Sequence, residues 1–306
     1  MPIAIGVDVG GSHISSAAVD IERSEIIKGT YFHGNLDSKA SKEEIFERWS
    51  SVINRTLGAS EGQGVSGVGM AMPGPFRYKE GIACFEGNDK YEQLYGVSVL
   101  NELPGYLDKD VSLRFLNDAT SFGVGGALMN KDKNGNRVTA ITLGTGFGAA
   151  FLERGIPETA GSRVPENGCL WDKPFLEGMA DDYFSTRWFL SRYTELSGEN
   201  GLKGVRDLLE VTDIDVSRIF EEFAQNLCSF MLPHLRRFET DLLVMGGSIS
   251  RAYEYFLPRL RECWNKDGLD IPVAVVPNTE EASIIGAAHL YDHAFWNEVK
   301  DRLPEK

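Results

Sequence analysis

The apolar residues of this chain form short runs that glycine and proline separate. Residues 3–9 and 13–19 are such runs, and Gly10-Gly11-Ser12 lies between them. Two strand-like runs around a glycine turn predict a β-hairpin at the start of the chain. Residues 65–72 predict a further strand, because Pro73-Gly74-Pro75 ends an apolar run there.

Helical periodicity occurs in three longer segments. Apolar residues recur every three or four positions over residues 41–57, where Ser41 and Glu44 have the spacing of a capping box. The same periodicity predicts helices over residues 219–238 and 280–299.

A second strand–glycine–strand pattern lies in the middle of the chain. Residues 138–143 and 147–152 flank Gly144-Thr145-Gly146, and residues 241–245 predict another strand that ends in Gly246-Gly247. A chain of 306 residues is long enough for two lobes of similar size.

The net charge and the cysteines argue against several classes of function. A formal net charge of −14 opposes binding to nucleic acids and anionic membranes, which are themselves negative. No apolar run approaches the roughly 20 residues that cross a bilayer, so we expect neither a membrane anchor nor a signal peptide. No Cys-x-x-Cys pair occurs, which predicts no zinc ribbon, no dense disulfide framework and a cytoplasmic location; the cysteines are Cys84, Cys169, Cys228 and Cys263.

Three glycine-containing turns could bind a phosphorylated ligand. The backbone N–H groups of Gly10-Gly11-Ser12 and Gly144-Thr145-Gly146 are accessible enough to donate to phosphate oxygens. Gly246-Gly247 would let a nucleotide approach the backbone closely at the start of a helix. Taken alone, each of the first two turns is better explained as an ordinary tight β-hairpin turn, and Gly246-Gly247 is explained at least as well as a structural strand–helix turn.

Two aspartates follow strand-like runs and could take part in phosphoryl transfer. Asp8 could hold Mg²⁺ through water, or it could simply accept hydrogen bonds from local backbone donors. Asp118 follows the run at residues 111–116 and could accept a proton from a hydroxyl group, or it could cap a helix. A helix N-terminus would lower the pKa of Asp118 and keep it ionised.

The order of these segments resembles that of the ROK family (repressor, open reading frame, kinase). The resemblance covers nearly the whole chain and rests on Asp8-x-Gly10-Gly11-Ser12, Asn117-Asp118-Ala119, Gly144-Thr145-Gly146 and Gly246-Gly247. It implies a two-lobed α/β fold of the actin-like (ribonuclease H-like) ATPase type, with a cleft between the lobes. The first lobe would comprise residues 1–117 completed by residues 284–306, and the second residues 118–283.

The resemblance also implies a function, namely ATP- and Mg²⁺-dependent phosphorylation of a hydroxyl on a hexose or amino sugar. Asp118 would be the general base, and Asp8 would hold Mg²⁺ through water. The implied phosphate- and ATP-binding residues are Asp8, Gly10, Gly11, Ser12, Gly144, Thr145, Gly146, Gly246 and Gly247. The implied sugar-binding residues are Asn88, Asn117, Asp118, Glu166 and Glu177. Homodimers are common in the family.

The sequence departs from the family pattern after Glu166. The histidine that contacts sugar and ligates zinc in many members is replaced by Cys169, and the cysteine cluster that usually follows is absent. A structural zinc ion needs about four close ligands, so we expect no zinc site. A thiol is a weaker hydrogen-bonding group than imidazole, so glucose specificity cannot be carried over from the family to this chain.

Two other classes of function compete with a kinase. One is a non-catalytic sugar- or nucleotide-binding protein or sensor, which the change at Cys169 would allow. The other is a sugar-responsive repressor, but family repressors carry an N-terminal helix-turn-helix domain, whereas Asp8 and Gly10 already belong to the first phosphate motif. The presence of Asp118 favours the enzyme.

Overall fold

The protein is described by a computed structural model that covers residues 2–87, 90–133, 135–212 and 214–303. The chain forms two compact units, one from Met1–Met129 with Glu280–Lys306 and the other from Asn130–Thr279. The first unit therefore includes the helix that begins at Asp118, whereas the sequence placed its boundary just before that residue.

The first unit is built around a mixed sheet. Its strands are β1 (Ile3–Val9), β2 (His13–Asp20), β3 (Glu25–Ile26), β4 (Phe32–Asn35), β5 (Val65–Met72), β6 (Phe76–Arg77), β7 (Ile82–Ala83) and β8 (Leu113–Asn117). In the described residues, six strands form one sheet in the order β3-β2-β1-β5-β8 with β4 beside β2, and β6 and β7 pair separately. β1 and β2 are antiparallel, whereas β1, β5 and β8 are parallel. The predicted opening hairpin is confirmed.

The second unit repeats this arrangement. Its strands are β9 (Arg137–Leu143), β10 (Phe147–Glu153), β11 (Ile156–Pro157), β12 (Pro174–Phe175), β13 (Gly178–Met179), β14 (Leu242–Gly246) and β15 (Val273–Val275). The described part contains a five-stranded sheet in the order β11-β10-β9-β14-β15 and the separate pair β12-β13. β9 and β10 form an antiparallel hairpin, and β9, β14 and β15 are parallel. The second predicted hairpin is also confirmed.

Helices cover the two sheets. They are α1 (Lys42–Ala59), α2 (Val99–Glu102), α3 (Asp118–Met129), α4 (Ala180–Tyr183), α5 (Thr186–Ser197), α6 (Val205–Leu208), α7 (Ser217–Phe238), α8 (Tyr253–Lys266), α9 (Thr279–Ala288) and α10 (His293–Val299). Short 3-10 turns cover Glu92–Leu94, Leu103–Tyr106, Lys131–Lys133, Glu166–Gly168, Ile249–Ala252 and His289–Tyr291. None of the helices in the described part of the chain is both long and apolar enough to span a bilayer.

The ends of the predicted helices follow from identifiable contacts. Ser41 caps α1 as expected, because its side chain accepts a hydrogen bond from the Glu44 N–H at 3.2 Å. The prediction of one continuous closing helix is wrong, since α9 ends before His289–Tyr291 and α10 begins afterwards. Asp292 has extended backbone angles and caps α10 by accepting a hydrogen bond from the Phe295 N–H at 2.8 Å, so the helical periodicity spans two helices.

Helices α3 and α9 touch at their backbones. A Cβ atom added to Gly125 would lie 1.8 Å from the carbonyl oxygen of Ala282, and one added to Gly286 would lie 1.9 Å from that of Ser121. Such an approach is open only to glycine at both positions. This contact holds α3 within the first unit, although a boundary at the strand-to-helix junction looked natural in the sequence.

Gly125→Ala and Gly58→Ala should therefore change stability in opposite directions. The Gly125 variant should lose about 1–3 kcal/mol of unfolding free energy, because the new methyl group overlaps α9. No atom lies within 4 Å of a Cβ added to Gly58 in α1, so that variant should gain up to about 1 kcal/mol from helix propensity. Urea unfolding of both variants checks the pair, and equal stabilities would contradict the close contact.

A disulfide bond joins helices α7 and α8 through Cys228 and Cys263. The prediction of a cytoplasmic location from the sequence does not anticipate this bond. The two cysteines are 35 residues apart, and only the packing of two helices brings them together. Cys84 and Cys169 are free thiols.

Alkylation under denaturing conditions counts these thiols. Without reductant, iodoacetamide should modify Cys84 and Cys169 only, because the other two sulfurs are bonded to each other. After reduction all four should react. Intact-mass spectrometry measures the number of added groups, and modification of four cysteines without reductant would show that the bond does not form in the isolated protein.

Candidate functional site

The parallel strands of the first unit bring two aspartates to one edge of the sheet. Asp8 near the end of β1 lies opposite Ala71 of β5, and Met72 of β5 lies opposite Asn117 at the end of β8. Asp118 follows as the first residue of α3. The carboxyl ends of parallel strands are where open α/β sheets bind ligands. Asp8 and Asp118 therefore belong to the same candidate site.

The Asp8 carboxylate is surrounded by negative charge. It is half-buried and accepts no hydrogen bond from the described residues, so the alternative role of satisfying local backbone donors is not observed. Burial raises its pKa to about 8, the charges of Asp118 and Glu280 add to the rise, and His13 opposes it. A carboxylate with these neighbours and no donor favours a nearby cation.

The residues present fit a water-mediated magnesium ion better than a fully liganded metal. In the described ranges no group of three or more His, Cys, Asp or Glu side chains could hold a metal ion. Mg²⁺ typically takes one or two carboxylates together with water and substrate phosphates. Asp8 would supply the one carboxylate of such a site, through water.

Asn117 and Asp118 divide two roles at the start of α3. The Asn117 Oδ1 atom accepts the Thr120 N–H at 3.1 Å, which is the contact of a helix cap. The Asp118 Oδ1 atom accepts hydrogen bonds from the Ala119 N–H at 2.8 Å and from Asn117 Nδ2 at 3.0 Å. Asn117 therefore caps the helix, and the Asp118 carboxylate is not needed for that contact. The Asp118 Oδ2 atom accepts no hydrogen bond from the described residues and is available to a ligand.

Burial decides the pKa of Asp118. It raises the pKa above the ordinary aspartate value, while the hydrogen bond from Ala119, the charge of Lys90 and the hydrogen bond from Asn117 lower it without full compensation. The expectation of a lowered pKa at the helix N-terminus is therefore wrong. A carboxylate with a raised pKa is a stronger base than one in water.

The first glycine turn offers two backbone donors. The Gly10 N–H donates to the His13 carbonyl at 3.0 Å, and the Ser12 carbonyl accepts the Leu36 N–H at 3.0 Å. Within the described ranges, the N–H groups of Gly11 and Ser12 donate to no protein acceptor. Gly10 shapes the turn, and Gly11 and Ser12 can bind an anion.

Glu280 lies beside this turn and was not found from the sequence. Its carboxylate accepts hydrogen bonds from Ser15 Oγ and Tyr31 OH, both at 2.8 Å, and lies 3.3 Å from His13 Nε2. The hydrogen bond from His13 is the main cause that lowers the pKa of Glu280 to about 2, and the same bond raises the pKa of His13. No sequence signal links residues so distant along the chain.

The second unit has a corresponding edge. β9 and β14 are parallel and end at Leu143 and Gly246, so the turn that begins at Gly144 follows β9 directly. Gly247 has φ +93°, and a Cβ atom there would lie 2.2 Å from the Leu143 carbonyl oxygen. Its N–H donates to Thr279 Oγ1 at 2.7 Å. Only glycine fits at position 247, because β14 and β9 approach each other closely there.

The second glycine turn is held by side chains that the sequence did not reveal. Asp181 Oδ1 accepts the Phe147 N–H at 2.6 Å, and Asp181 Oδ2 lies 2.5 Å from Arg187. The Gly144 N–H donates to the Gly146 carbonyl at 3.1 Å. In the described part of the chain, the N–H groups of Thr145 and Gly146 have no protein acceptor and can bind an anion.

The candidate sugar ligands are divided between the two units. Asn88 lies outside the described residues. Asn117 hydrogen-bonds Tyr78 OH at 3.1 Å and lies next to Asp118 in the first unit. In the second unit, Glu177 lines a cavity of about 430 Å³. Glu166 belongs to a 3-10 turn and is not among the described residues that line this cavity.

The chain matches a known protein family over most of its length. The model of the ROK family matches residues 4–294, which is most of the chain. The chain belongs to the ROK family. Its fold is the α/β actin-like ATPase fold of the ROK sugar kinases, as the sequence predicted.

Several sugar kinases align with nearly all of this chain. The glucokinase of Thermotoga maritima is 26% identical and covers 94% of this chain and 96% of its own length. The N-acetyl-D-glucosamine kinase of Haemophilus influenzae is 24% identical and covers 94% and 98%. Its curated relatives therefore include sugar kinases.

Solved ROK structures share the fold. A ROK glucokinase from Streptomyces griseus in complex with glucose and AMPPNP has a TM-score of 0.71 and 19% identity, and covers 94% of this chain and 98% of its own. A ROK transcriptional regulator, a homologue of the E. coli MLC protein, has a TM-score of 0.70 and 15% identity, and covers 98% and 81%. The fold is thus common to enzymes and regulators.

The departure from the ROK pattern at Cys169 has a defined structural setting. The Cys169 thiol is half-buried and donates to the Glu166 carbonyl at 3.4 Å. Burial is the main cause that raises the pKa of Cys169, and the charge of Asp172 contributes. A thiol with a raised pKa stays protonated and is a poor metal ligand.

Proposed function

We propose that this ROK protein is a cytoplasmic kinase that transfers the γ-phosphate of ATP to a hydroxyl of a hexose or amino sugar, with Asp118 as general base. The observation that carries the proposal is the Asp118 carboxylate, which has an available Oδ2 atom and a raised pKa at the sheet edge it shares with the first glycine turn. The sugar kinases among the curated relatives support the same reaction class.

In the proposed reaction, the sugar hydroxyl donates a hydrogen bond to Asp118 Oδ2 while Asn117 and the Ala119 N–H hold Oδ1 in place. The hydroxyl oxygen forms a bond to the γ-phosphorus, the bond to the bridging oxygen of ADP breaks, and the proton moves to Asp118. Mg²⁺ held through water at Asp8 would neutralise charge on the phosphates.

Backbone donors account for the rest of phosphate binding in the proposal. In the described residues, the N–H groups of Gly11 and Ser12 in the first unit and of Thr145 and Gly146 in the second unit donate to no protein acceptor and are available. Gly246 and Gly247 remain the proposed adenosine motif. Such donors need no broad basic surface, which suits a chain with a net charge of −14.

A turnover assay tests the proposal. ADP release from Mg-ATP is measured with glucose, fructose, mannose, allose, N-acetylglucosamine and N-acetylmannosamine, and Asp118→Asn is the control. Turnover of one sugar that is lost in the variant would establish the kinase and name its substrate. Silence with every sugar, together with calorimetric binding of a sugar or nucleotide, would instead support the binding protein.

The second candidate is a non-catalytic binding protein or sensor. Cys169 in place of the family histidine motivates it, and the solved regulator shows that the fold also occurs in proteins that control transcription. The arrangement of Asp8, Asn117 and Asp118 favours the enzyme, since a sensor has no need of a base with an available oxygen.

The remaining parts of the proposal concern partners and location. The expected partner is a small sugar, not a nucleic acid or a membrane, and a homodimer is proposed by analogy with the family. Sedimentation analysis measures the oligomeric state. The thiol count described above also bears on the proposed cytoplasmic location. Disulfides such as Cys228–Cys263 are rare in the cytosol, so an intact disulfide in the isolated protein would argue against that location.

A further inference from the structure

A lysine lies over the first glycine turn. A Cβ atom added to Gly11 would lie 3.0 Å from Lys90 Cε and 3.3 Å from Lys90 Nζ. The ammonium group is therefore next to Gly11, whose N–H is one of the two donors available to an anion. The two residues are far apart along the chain, and nothing in the sequence pattern linked Lys90 to the turn.

The neighbouring tyrosine fixes this placement. Tyr91 is fully buried, and its ring lies 5.5 Å from that of Trp49 and 5.5 Å from that of Phe85. Its hydroxyl donates to the Gly10 carbonyl, and its N–H donates to the Ser38 carbonyl at 2.8 Å. The backbone at residue 90 is thereby anchored to the glycine turn, although the lysine side chain itself is exposed.

The charges at this edge of the sheet require a cation if a phosphate is to bind. Asp8, Asp118 and Glu280 are all close enough to interact, and each is a carboxylate. His13 is already engaged by Glu280 at 3.3 Å. Lys90 is close enough to Asp118 for its charge to act on that carboxylate, and in the described part of the chain it forms no ion pair.

We propose that Lys90 is a phosphate-binding residue, whose ammonium group contacts the γ-phosphoryl group held by the N–H groups of Gly11 and Ser12. The inference rests on the proposed kinase function and names a group that stabilises the transferred phosphoryl. No proton leaves Lys90 during the reaction. Its positive charge offsets the negative charge on the phosphoryl oxygens while the bond to ADP breaks and the bond to the sugar oxygen forms.

Nucleotide binding tests the inference directly. Lys90→Met keeps the length of the side chain and removes the charge, Lys90→Arg keeps the charge, and Lys79→Met removes an exposed lysine that pairs with Asp301 at 3.0 Å. By calorimetry with Mg²⁺, Lys90→Met should weaken AMPPNP binding about 10- to 100-fold and leave ADP binding unchanged, because only AMPPNP carries a γ-phosphoryl group. Lys90→Arg and Lys79→Met should bind both ligands like the wild type.

Kinetics separates this role from a structural one. Lys90→Met should lower kcat about 10- to 1000-fold. It should also move the acid limb of the pH profile of kcat/KM to higher pH, because Lys90 lowers the pKa of Asp118 and its loss lets that pKa rise. A destabilised fold would not move this limb. Lys90→Arg should restore both the rate and the limb.

Two results for Lys90→Met would overturn the inference. Equal loss of AMPPNP and ADP binding in Lys90→Met would show a structural role, and unchanged AMPPNP binding would show no role; either overturns the inference. If the wild-type protein phosphorylates no sugar, the proposed kinase function fails, but the comparison of AMPPNP with ADP still tests Lys90 as a phosphate-binding residue.

Discussion

Asp118→Asn should lower kcat by about 10²- to 10⁴-fold while the affinities for ATP and sugar change little. Asparagine can still accept hydrogen bonds from the Ala119 N–H and Asn117, so the helix start should keep its geometry. It cannot take a proton from the reacting hydroxyl. Steady-state kinetics gives kcat, and calorimetry gives the two affinities.

The pH dependence of sugar phosphorylation by the wild-type protein adds a second readout of the proposed base. Because burial raises the pKa of Asp118, the acid limb of kcat/KM should lie at a higher pH than an ordinary aspartate would give. Activity is lost as the pH falls through this pKa, since only the ionised carboxylate accepts a proton. Asp301→Asn, which changes an exposed aspartate, is the matched control and should retain full turnover. Near-native turnover by Asp118→Asn would remove this residue from the role of base.

Gly247→Ala should lower the unfolding free energy by about 3 kcal/mol or more and abolish nucleotide binding. Two costs add in this variant. The φ angle of +93° lies in the left-handed region that L-residues avoid, and the new Cβ atom would lie 2.2 Å from the Leu143 carbonyl oxygen. Relief requires β14 and β9 to separate where the second glycine turn begins.

Gly155→Ala separates the two costs of the Gly247 variant. Gly155 has φ +81° in the turn between β10 and β11, but no atom lies within 4 Å of an added Cβ. It should lose only about 1–2 kcal/mol from backbone strain. Urea unfolding measures both variants, and AMPPNP calorimetry measures nucleotide binding. If Gly247→Ala lost no more stability than Gly155→Ala, the close approach of the strands would not be the reason for glycine at 247.

Local patterns predicted much of the architecture. The hairpins around Gly10-Gly11-Ser12 and Gly144-Thr145-Gly146 form as expected, because alternation of apolar residues and a glycine turn are properties of neighbouring residues. Helix α1 begins at its predicted cap for the same reason. The prediction of one closing helix was wrong because the periodicity of apolar residues continues across a break of a few residues. Here the break lies between α9 and α10 and ends at Asp292, which caps α10.

Contacts between distant residues could not be predicted in this way. The disulfide between Cys228 and Cys263 needs two helices packed side by side. The place of α3 in the first unit depends on the backbone contact between Gly125 and Ala282. Each depends on the relative position of elements, which the pattern within one element does not specify.

By itself, the sequence determined the fold class, the family pattern and the residue types available for chemistry. Only the tertiary structure decided how those residues act. It placed Asp8, Asp118 and Glu280 at one edge and put Lys90 over Gly11. It also reversed the expected direction of the Asp118 pKa shift. The physical reason is that desolvation and Coulomb interactions depend on distance and burial, which the order of residues along a chain does not contain.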